Sequence, residues 1–215
     1  MPTPSRIYDI TLGPGVQAPA WPGDKAFSAH ATKTFDEAGY HSSALTLSAH
    51  AGTHIDCPGH IVPGGALLES FGPERFVLPA LVLDAGAGPV IGPQSIAAAG
   101  LAPGEALLIR TDNAVRGLTT PDGSMRTDFT ALSAQAAQAA VDAGATLVGI
   151  DAPSVDPFES SDVPAHKALF TGGALVLEWL NLAAVPPGRY LLCCLPLKLA
   201  GVEASPVRAV LLSFD

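Results

Sequence analysis

The segment from His50 to His60 holds the side chains whose types and spacing could do chemistry. It reads His-Ala-Gly-Thr-His-Ile-Asp-Cys-Pro-Gly-His, with three of the chain's six histidines and an aspartate in eleven residues. Glycine and proline interrupt any helical pattern here, which predicts a strand end running into a tight loop. Neutral imidazole and carboxylate are ligands of Zn²⁺ and similar ions, and three such ligands with an open position are typical of a catalytic site. The segment therefore predicts metal-dependent catalysis.

The same segment carries a resemblance to a known family. The spacing His-X-Gly-Thr-His-X-Asp-X-Pro-X-His is the signature of the cyclase family of metal-dependent hydrolases, which includes bacterial kynurenine formamidase and isatin hydrolase. The signature matches at every fixed position. Further blocks that resemble the family lie at 21–24, 149–157, 195–198 and 205–209. The resemblance therefore covers nearly the whole chain.

The resemblance implies two metal sites that share one carboxylate. His50, His54 and Asp56 occupy fixed positions of the signature and form the first set of ligands. His166 and Glu178 fall where the family places a later histidine and glutamate, which complete a second site with Asp56 as the bridge. We expect one or two Zn²⁺ ions per chain, with Mn²⁺ as the alternative, because the ligand atoms are nitrogen and oxygen.

The residues by themselves support the second set unequally. Glu178 interrupts the apolar run 174–180, where a carboxylate is rarely found unpaired. His166, in Val-Pro-Ala-His-Lys, could by itself be a surface residue. Three polar residues after a predicted strand could support the site or form a turn: Asp151, Ser154 and Asp156.

Three residues in or near the resembling blocks carry other expected roles. The resemblance makes His60 a catalytic acid/base, because an imidazole with a pKa of about 6.5 can take a proton from water and return it to a leaving nitrogen. A fourth metal ligand is the alternative for His60. Trp21 is expected to stack on an aromatic substrate, or else to form a dimer contact. Cys57 occupies a variable position and is interpreted as a small pocket-lining residue, with metal ligation as the alternative.

Composition and charge exclude several classes of partner. The 215 residues carry a formal net charge of −9, with 11 basic residues and no basic run, which argues against nucleic acid. A hydrophobic fraction of 48% fits one well-buried domain spanning residues 1–215. The apolar runs are too short to span a bilayer. Without a signal-peptide pattern or a disulfide framework, the protein is expected in the cytoplasm.

Strand and helix patterns mix along the chain, which predicts an α/β fold. A strand that leads into the metal loop is predicted at 44–48, and further strands, mostly buried, are predicted at 76–84, 106–111, 146–150, 190–197 and 207–214. Helices are predicted at 93–99 and 133–143, the second with Ser133 as its N-cap and Gly144 at its end. The resemblance implies the swivelling β/β/α fold of the family, a central β core flanked by helices.

The resemblance implies hydrolysis of a small amide by a metal-activated water, with His60 as acid/base. The chain length and the Asp-Ala-Pro-Ser-Val-Asp-Pro block at 151–157 most resemble kynurenine formamidase, an arylformamidase of tryptophan catabolism. The alternatives are a cyclic-amide or lactone hydrolase, similar to isatin hydrolase, and a non-catalytic metal-binding protein of the same fold. A homo-oligomer, a dimer or tetramer, is expected from the resemblance and the high apolar content.

Overall fold

The structure, a computed structural model, describes residues 3–214, which form thirteen strands and five α-helices. The strands are β1 Arg6–Asp9, β2 Ser28–Lys33, β3 Ser42–Thr46, β4 His54–Asp56, β5 Val77–Gly86, β6 Val90–Ile91, β7 Ala106–Thr111, β8 Ala131–Leu132, β9 Leu147–Ile150, β10 Leu175–Glu178, β11 Gly188–Cys193, β12 Ala204–Pro206 and β13 Val210–Ser213. The helices are α1 Phe35–Ala38, α2 Pro93–Ala97, α3 Asn113–Arg116, α4 Ala134–Asp142 and α5 Pro164–Thr171. Short 3₁₀ turns form at Pro58–His60, Leu68–Ser70 and Pro73–Arg75.

Nine strands form one mixed sheet in the order β1-β13-β11-β5-β7-β9-β10-β4-β12. The neighbouring pairs among β5, β7, β9 and β10 are parallel, and the pairs on either side of this group are antiparallel. The parallel strands β7 and β9 are almost continuously apolar because both of their faces are buried. The α/β class predicted from the sequence is confirmed.

The three longer helices pack on one face of this sheet. Leu107 and Ile109 of β7 share a buried cluster with residues of α2, α4 and α5. Ala106 and Leu108, which alternate with them, lie in a second cluster with residues of the outer strands β4, β11 and β13. The sheet therefore curls around the second cluster, and the helices flank this β core on its other face.

Most predicted elements form close to their expected positions. The strands predicted at 76–84, 106–111 and 146–150 form as β5, β7 and β9. Ser133 caps α4 as predicted, because its side chain accepts a hydrogen bond from the Ala136 N–H. The strand predicted at 190–197 is shifted, since β11 begins at Gly188 and ends at Cys193. Helix α5 was not predicted, and it carries His166.

A hairpin arm, residues 25–47, stands apart from the main sheet. It comprises β2, α1 and β3, and none of its residues is buried. Phe35 is 63% exposed and Leu45 61% exposed, with Phe27 and Tyr40 exposed beside them. A two-stranded hairpin alone is marginally stable in water, so this arm has the composition of a segment that packs against another surface.

Across residues 3–214, no helix is long and apolar enough to cross a membrane.

Candidate metal centre

Strand β4 places His54 and Asp56 side by side. Residues two apart in a strand face the same way, so both side chains point to one centre while Ile55 and Cys57 enter the core behind them. β4 pairs antiparallel with β10 on one side and β12 on the other. The prediction of a strand end running into a loop is therefore partly wrong: the middle of the signature is a buried strand, and the tight turn begins only at Pro58.

His166 and Glu178 meet the signature residues at this centre. His54 Nε2 lies 3.4 Å from Asp56 Oδ1 and 3.4 Å from Glu178 Oε2. His166 Nε2 lies 3.3 Å from Glu178 Oε1 and 3.8 Å from Asp56 Oδ2. His50 Nδ1 lies 2.9 Å from Asp56 Oδ1. The structure thus brings all five predicted ligands together around Asp56, and the alternative of a surface position for His166 is wrong, since it is 3% exposed.

Four buried polar atoms at this centre lack a hydrogen-bond partner. They are His54 Nε2, His166 Nε2 and both carboxylate oxygens of Asp56. A buried polar atom without a partner costs about 1–3 kcal/mol, and more when it is charged. Such atoms converging on one point are therefore the arrangement of a site built to hold a cation.

Each imidazole is anchored on its outer side. His54 Nδ1 lies 2.8 Å from the Gly52 carbonyl oxygen, and His166 Nδ1 lies 2.7 Å from Asp156 Oδ2. Both oxygens are acceptors, so each Nδ1 donates its hydrogen outward and each Nε2 is the nitrogen that faces the centre. Asp156 also accepts hydrogen bonds from the backbone N–H groups of Ala165 and His166. Of the two predicted roles for Asp156, site support or turn formation, its contacts fit the first.

The neighbouring carboxylates hold protons on these imidazoles in the absence of a cation. Burial disfavours the charged form of His54, but Asp56 and Glu178 outweigh it and raise the pKa of His54 to about 10. Burial likewise opposes the ionised form of Glu178, yet His166 and His54 lower the pKa of Glu178 to about 2. A cation that binds here must therefore displace protons.

His60 lies beside this cluster at the end of the 3₁₀ turn. Its ring centroid is 4.3 Å from that of His50 and 5.8 Å from that of His166. Burial lowers the pKa of His60, and the His50 and His166 imidazoles add to that effect against the opposing Asp56 charge. At neutral pH this side chain is a neutral imidazole that can accept a proton.

The cluster lies on the wall of a cavity of about 590 Å³. Trp21, Phe158 and Trp179 give the cavity aromatic walls, and the rings of Trp21 and Phe158 lie 5.1 Å apart. His50, His54, His60, His166 and Glu178 line it as well. The cavity therefore places two aromatic rings, on which a planar aromatic molecule could stack, beside the polar cluster.

Two strained residues support the cavity. Val163, with φ 39°, precedes α5, and Trp179, with φ 58°, follows Glu178. Left-handed backbone is disfavoured for residues with a side chain and persists where the surroundings enforce it. For Trp179 the enforcing contact is Thr53, whose hydroxyl donates to the Trp179 carbonyl oxygen and accepts from the Leu12 N–H. Thr53 of the signature thus ties the start of β4 to the end of β10.

Cys57 lies outside the cavity, so the interpretation as a pocket-lining residue is wrong. It is fully buried in the second core, where its thiol donates to the Glu203 carbonyl oxygen at 2.9 Å. The alternation of β4 explains this position, since Asp56 faces the centre and the next residue must face away. Burial raises the pKa of the Cys57 thiol to about 11, so it is not disposed to supply a thiolate.

Known proteins resemble this chain over most of its length. A family model described as "Putative cyclase" matches residues 8–157. The chain belongs to the cyclase family. Among curated relatives, a kynurenine formamidase of Salinibacter ruber is 39% identical over 208 residues, covering 95% of this chain and 96% of its own length. A kynurenine formamidase of Bordetella pertussis is 36% identical over 210 residues, covering 96% and 97%.

Solved structures of the cyclase family share the fold. A potential metal-dependent hydrolase with cyclase activity superposes with a TM-score of 0.82 at 29% identity, covering 97% of this chain and 98% of its own. Isatin hydrolase A of Labrenzia aggregata has a TM-score of 0.81 at 23% identity, covering 98% and 94%. At 23% identity, the similarity to isatin hydrolase A shows a shared fold only.

The cluster fits a divalent metal, and the first of these solved structures is described as a potential metal-dependent hydrolase. The donors of the cluster are imidazole nitrogens and carboxylate oxygens, the set that suits Zn²⁺ and Mn²⁺. The unpartnered atoms at the centre are the ones that a cation would satisfy. One side chain at this site was missed from the sequence: Glu203, whose Oε1 lies 3.2 Å from His50 Nε2. An isolated glutamate in Gly-Val-Glu-Ala-Ser, residues 201–205, gives no local signal of that contact.

Proposed function

We propose that the protein is a metal-dependent amidohydrolase, an arylformamidase that converts N-formyl-L-kynurenine and water to L-kynurenine and formate. The observation that carries this proposal is the convergence of unpartnered buried imidazole and carboxylate atoms on the wall of an aromatic cavity. The full-length similarity to kynurenine formamidases supports the substrate. Trp21 and Phe158 are the surfaces on which the aryl ring would stack.

In this proposal the side chains divide into ligands and a proton carrier. His50, His54 and Asp56 would hold one divalent cation, while His166 and Glu178, with Asp56 between the two sets, would hold a second. A cation held there supplies Lewis acidity, which acidifies water and polarises the amide carbonyl. His60 takes the proton from the attacking water and gives it to the nitrogen that leaves as the aryl amine. The C–N bond breaks, and formate departs with the new oxygen.

The substrate is tested with a panel of three compounds. We expect N-formylkynurenine to be hydrolysed with a kcat/KM at least about tenfold above that for isatin or a simple lactone, a difference of about 1.4 kcal/mol in transition-state stabilisation. The absorbance of the released aryl amine follows N-formylkynurenine and isatin, and titration of the released acid follows the lactone. A preference for isatin or the lactone would favour the cyclic-amide or lactone hydrolase instead, and inactivity of the metal-loaded protein on all three would favour a non-catalytic metal-binding role.

The purified protein is expected to carry one or two divalent ions per chain, Zn²⁺ first and Mn²⁺ second. Removing them with a chelator should abolish activity, and adding the ion back should restore it. Rebinding at neutral pH should release protons, because the carboxylates hold protons on His54 and His166 until the cation displaces them. Calorimetry in buffers of different ionisation enthalpy measures this release, and affinity should fall as the pH is lowered. Less than one ion per chain together with chelator-resistant activity would contradict the metal role.

We further propose that the protein acts in the cytoplasm as a homo-oligomer whose contacts include the hairpin arm. The arm exposes Phe35 and Leu45. It has no net charge, because its two basic and two acidic residues cancel, whereas the whole chain has a net charge of −9. Such a segment can pack on a second copy without like-charge repulsion.

Light scattering is expected to give a mass of two or four times 21.8 kDa at micromolar concentration. The double variant Phe35→Ser, Leu45→Ser should shift the mass toward the monomer, whereas Val115→Ser, at a residue 89% exposed on α3, should not. A monomeric wild type would refute the proposal. Equal masses for wild type and the double variant would place the interface elsewhere.

A further inference from the structure

The three imidazoles at the centre follow one pattern, and Glu203 completes it. His54 and His166 each direct one nitrogen to an oxygen acceptor outside the cluster and the other nitrogen to the centre. His50 does the same: its Nδ1 faces Asp56 Oδ1 at 2.9 Å and its Nε2 faces Glu203 Oε1 at 3.2 Å. The Glu203 carboxylate is thus the outer acceptor for His50, as the Gly52 carbonyl is for His54 and Asp156 is for His166.

We propose that Glu203 is a positioning residue that holds His50 with its hydrogen on Nε2, so that the lone pair of Nδ1 is kept for a cation. The proposal rests on the metal role of His50 in the proposed function. A carboxylate that accepts the outer N–H of a metal-binding histidine fixes its tautomer and ring orientation and makes the inner nitrogen more basic.

Glu203 differs from the other two outer acceptors in its setting. Asp156 is 1% exposed, whereas the Glu203 side chain is 36% exposed and lines the cavity. It is carried by the loop before β12, where the Gly201 N–H donates to Glu69 Oε1. The imidazole of His50 is correspondingly the most exposed of the three, at 18%. The contact between His50 Nε2 and Glu203 is therefore the most exposed of the three outer contacts at the centre.

The test is the affinity for Zn²⁺ alone, measured by competition with a chromogenic chelator on the full chain after metal removal. We expect Glu203→Ala to weaken the binding of one ion about 10–100-fold, the usual effect of losing an outer partner, and to leave any second ion unchanged. Glu203→Gln should lose less, because its amide oxygen can still accept the Nε2–H. Glu159→Ala, which removes an exposed charge next to the cavity-lining Phe158, should bind as the wild type does.

A spectroscopic readout separates positioning from a merely structural role. The ¹⁵N chemical shifts of His50 are recorded on the metal-free proteins at alkaline pH, where the imidazole is neutral although, against the effect of burial, Asp56 raises its pKa. They should report hydrogen on Nε2 in the wild type and a tautomer mixture in Glu203→Ala, while the melting temperatures of the two proteins stay equal. Wild-type Zn²⁺ affinity in Glu203→Ala, or an unchanged tautomer, would overturn the proposal. A wild-type protein that binds no Zn²⁺ would instead overturn the proposed function. If Glu203→Ala lost as much free energy of unfolding, seen as a lower melting temperature, as it lost free energy of Zn²⁺ binding, Glu203 would have a structural role. That result would also overturn the proposal.

Discussion

Asp56→Ala is expected to abolish metal binding and activity together. Its carboxylate is fully buried, faces His50, His54 and His166, and leaves both oxygens unpartnered for a cation. Losing it removes a ligand from both proposed ion positions, so metal analysis should return little or no ion. Since the Lewis acidity of a metal contributes several kcal/mol to transition-state stabilisation, activity should fall by about 10³-fold or more.

His54→Ala and Asp84→Asn provide the comparison. Removing one member of a buried charged cluster can cost about 3–5 kcal/mol of stability, so Asp56→Ala is assayed for folding by circular dichroism. His54→Ala keeps both buried carboxylates of the centre and should also lose at least one ion. Asp84 is half exposed and ion-pairs with Arg110 away from the cavity lining, so Asp84→Asn should retain metal and activity. A folded Asp56→Ala protein with full metal content would show that the ions bind elsewhere.

His60→Ala is expected to keep its metal and still lose activity by about 10²–10⁴-fold, the usual contribution of general acid–base catalysis. The wild-type kcat/KM should fall at acid pH, as protonated His60 can no longer accept a proton. Because burial lowers the pKa of His60, the inflection should lie below that of an ordinary histidine. The variant should lack this acid limb, which a pH–rate profile measures.

Added imidazole tests whether the missing group is a base. It should restore part of the activity of His60→Ala, because a small imidazole can occupy the space left in the cavity wall. The alternative for His60 is a fourth ligand, since a ring nitrogen of His60 lies within 4.8 Å of a carboxylate oxygen of Asp56 and of a ring nitrogen of His166. Loss of metal in His60→Ala as complete as in His54→Ala would establish the ligand role and remove the proton-transfer role proposed here.

The convergence of His54 and Asp56 could be predicted from the sequence because the signature is local. The two residues are two apart, so in a strand their side chains face the same way. The long-range pairing of β4 with β10 and β12 has no such local signal, so the signature was predicted as a strand end running into a tight loop. Helix α5 was missed for a related reason: its preceding residue, Val163, adopts a left-handed conformation that local preference for a β-branched residue would never predict.

The buried position of Cys57 could also have been predicted from the strand pattern. Once His54 and Asp56 are taken to face one centre, strand alternation places residue 57 on the opposite face, in the core where the structure has it. Glu203 is the contrasting case. Its contact with His50 joins segments 153 positions apart, and neither segment carries a pattern that indicates the other.

The position of β4 between β10 and β12 also sets the order in which the centre can assemble during synthesis. Asp56 pairs with Val176 and Ala204, so its final neighbours leave the ribosome long after it does. At about 5–20 residues per second, the interval between translation of residues 56 and 204 is roughly 7–30 s. Throughout that interval the histidines of the signature lie on a chain that lacks at least one of the two strands beside β4. In the proposed function, metal would therefore bind late in synthesis, and a chain truncated before residue 204 should fail to assemble the centre.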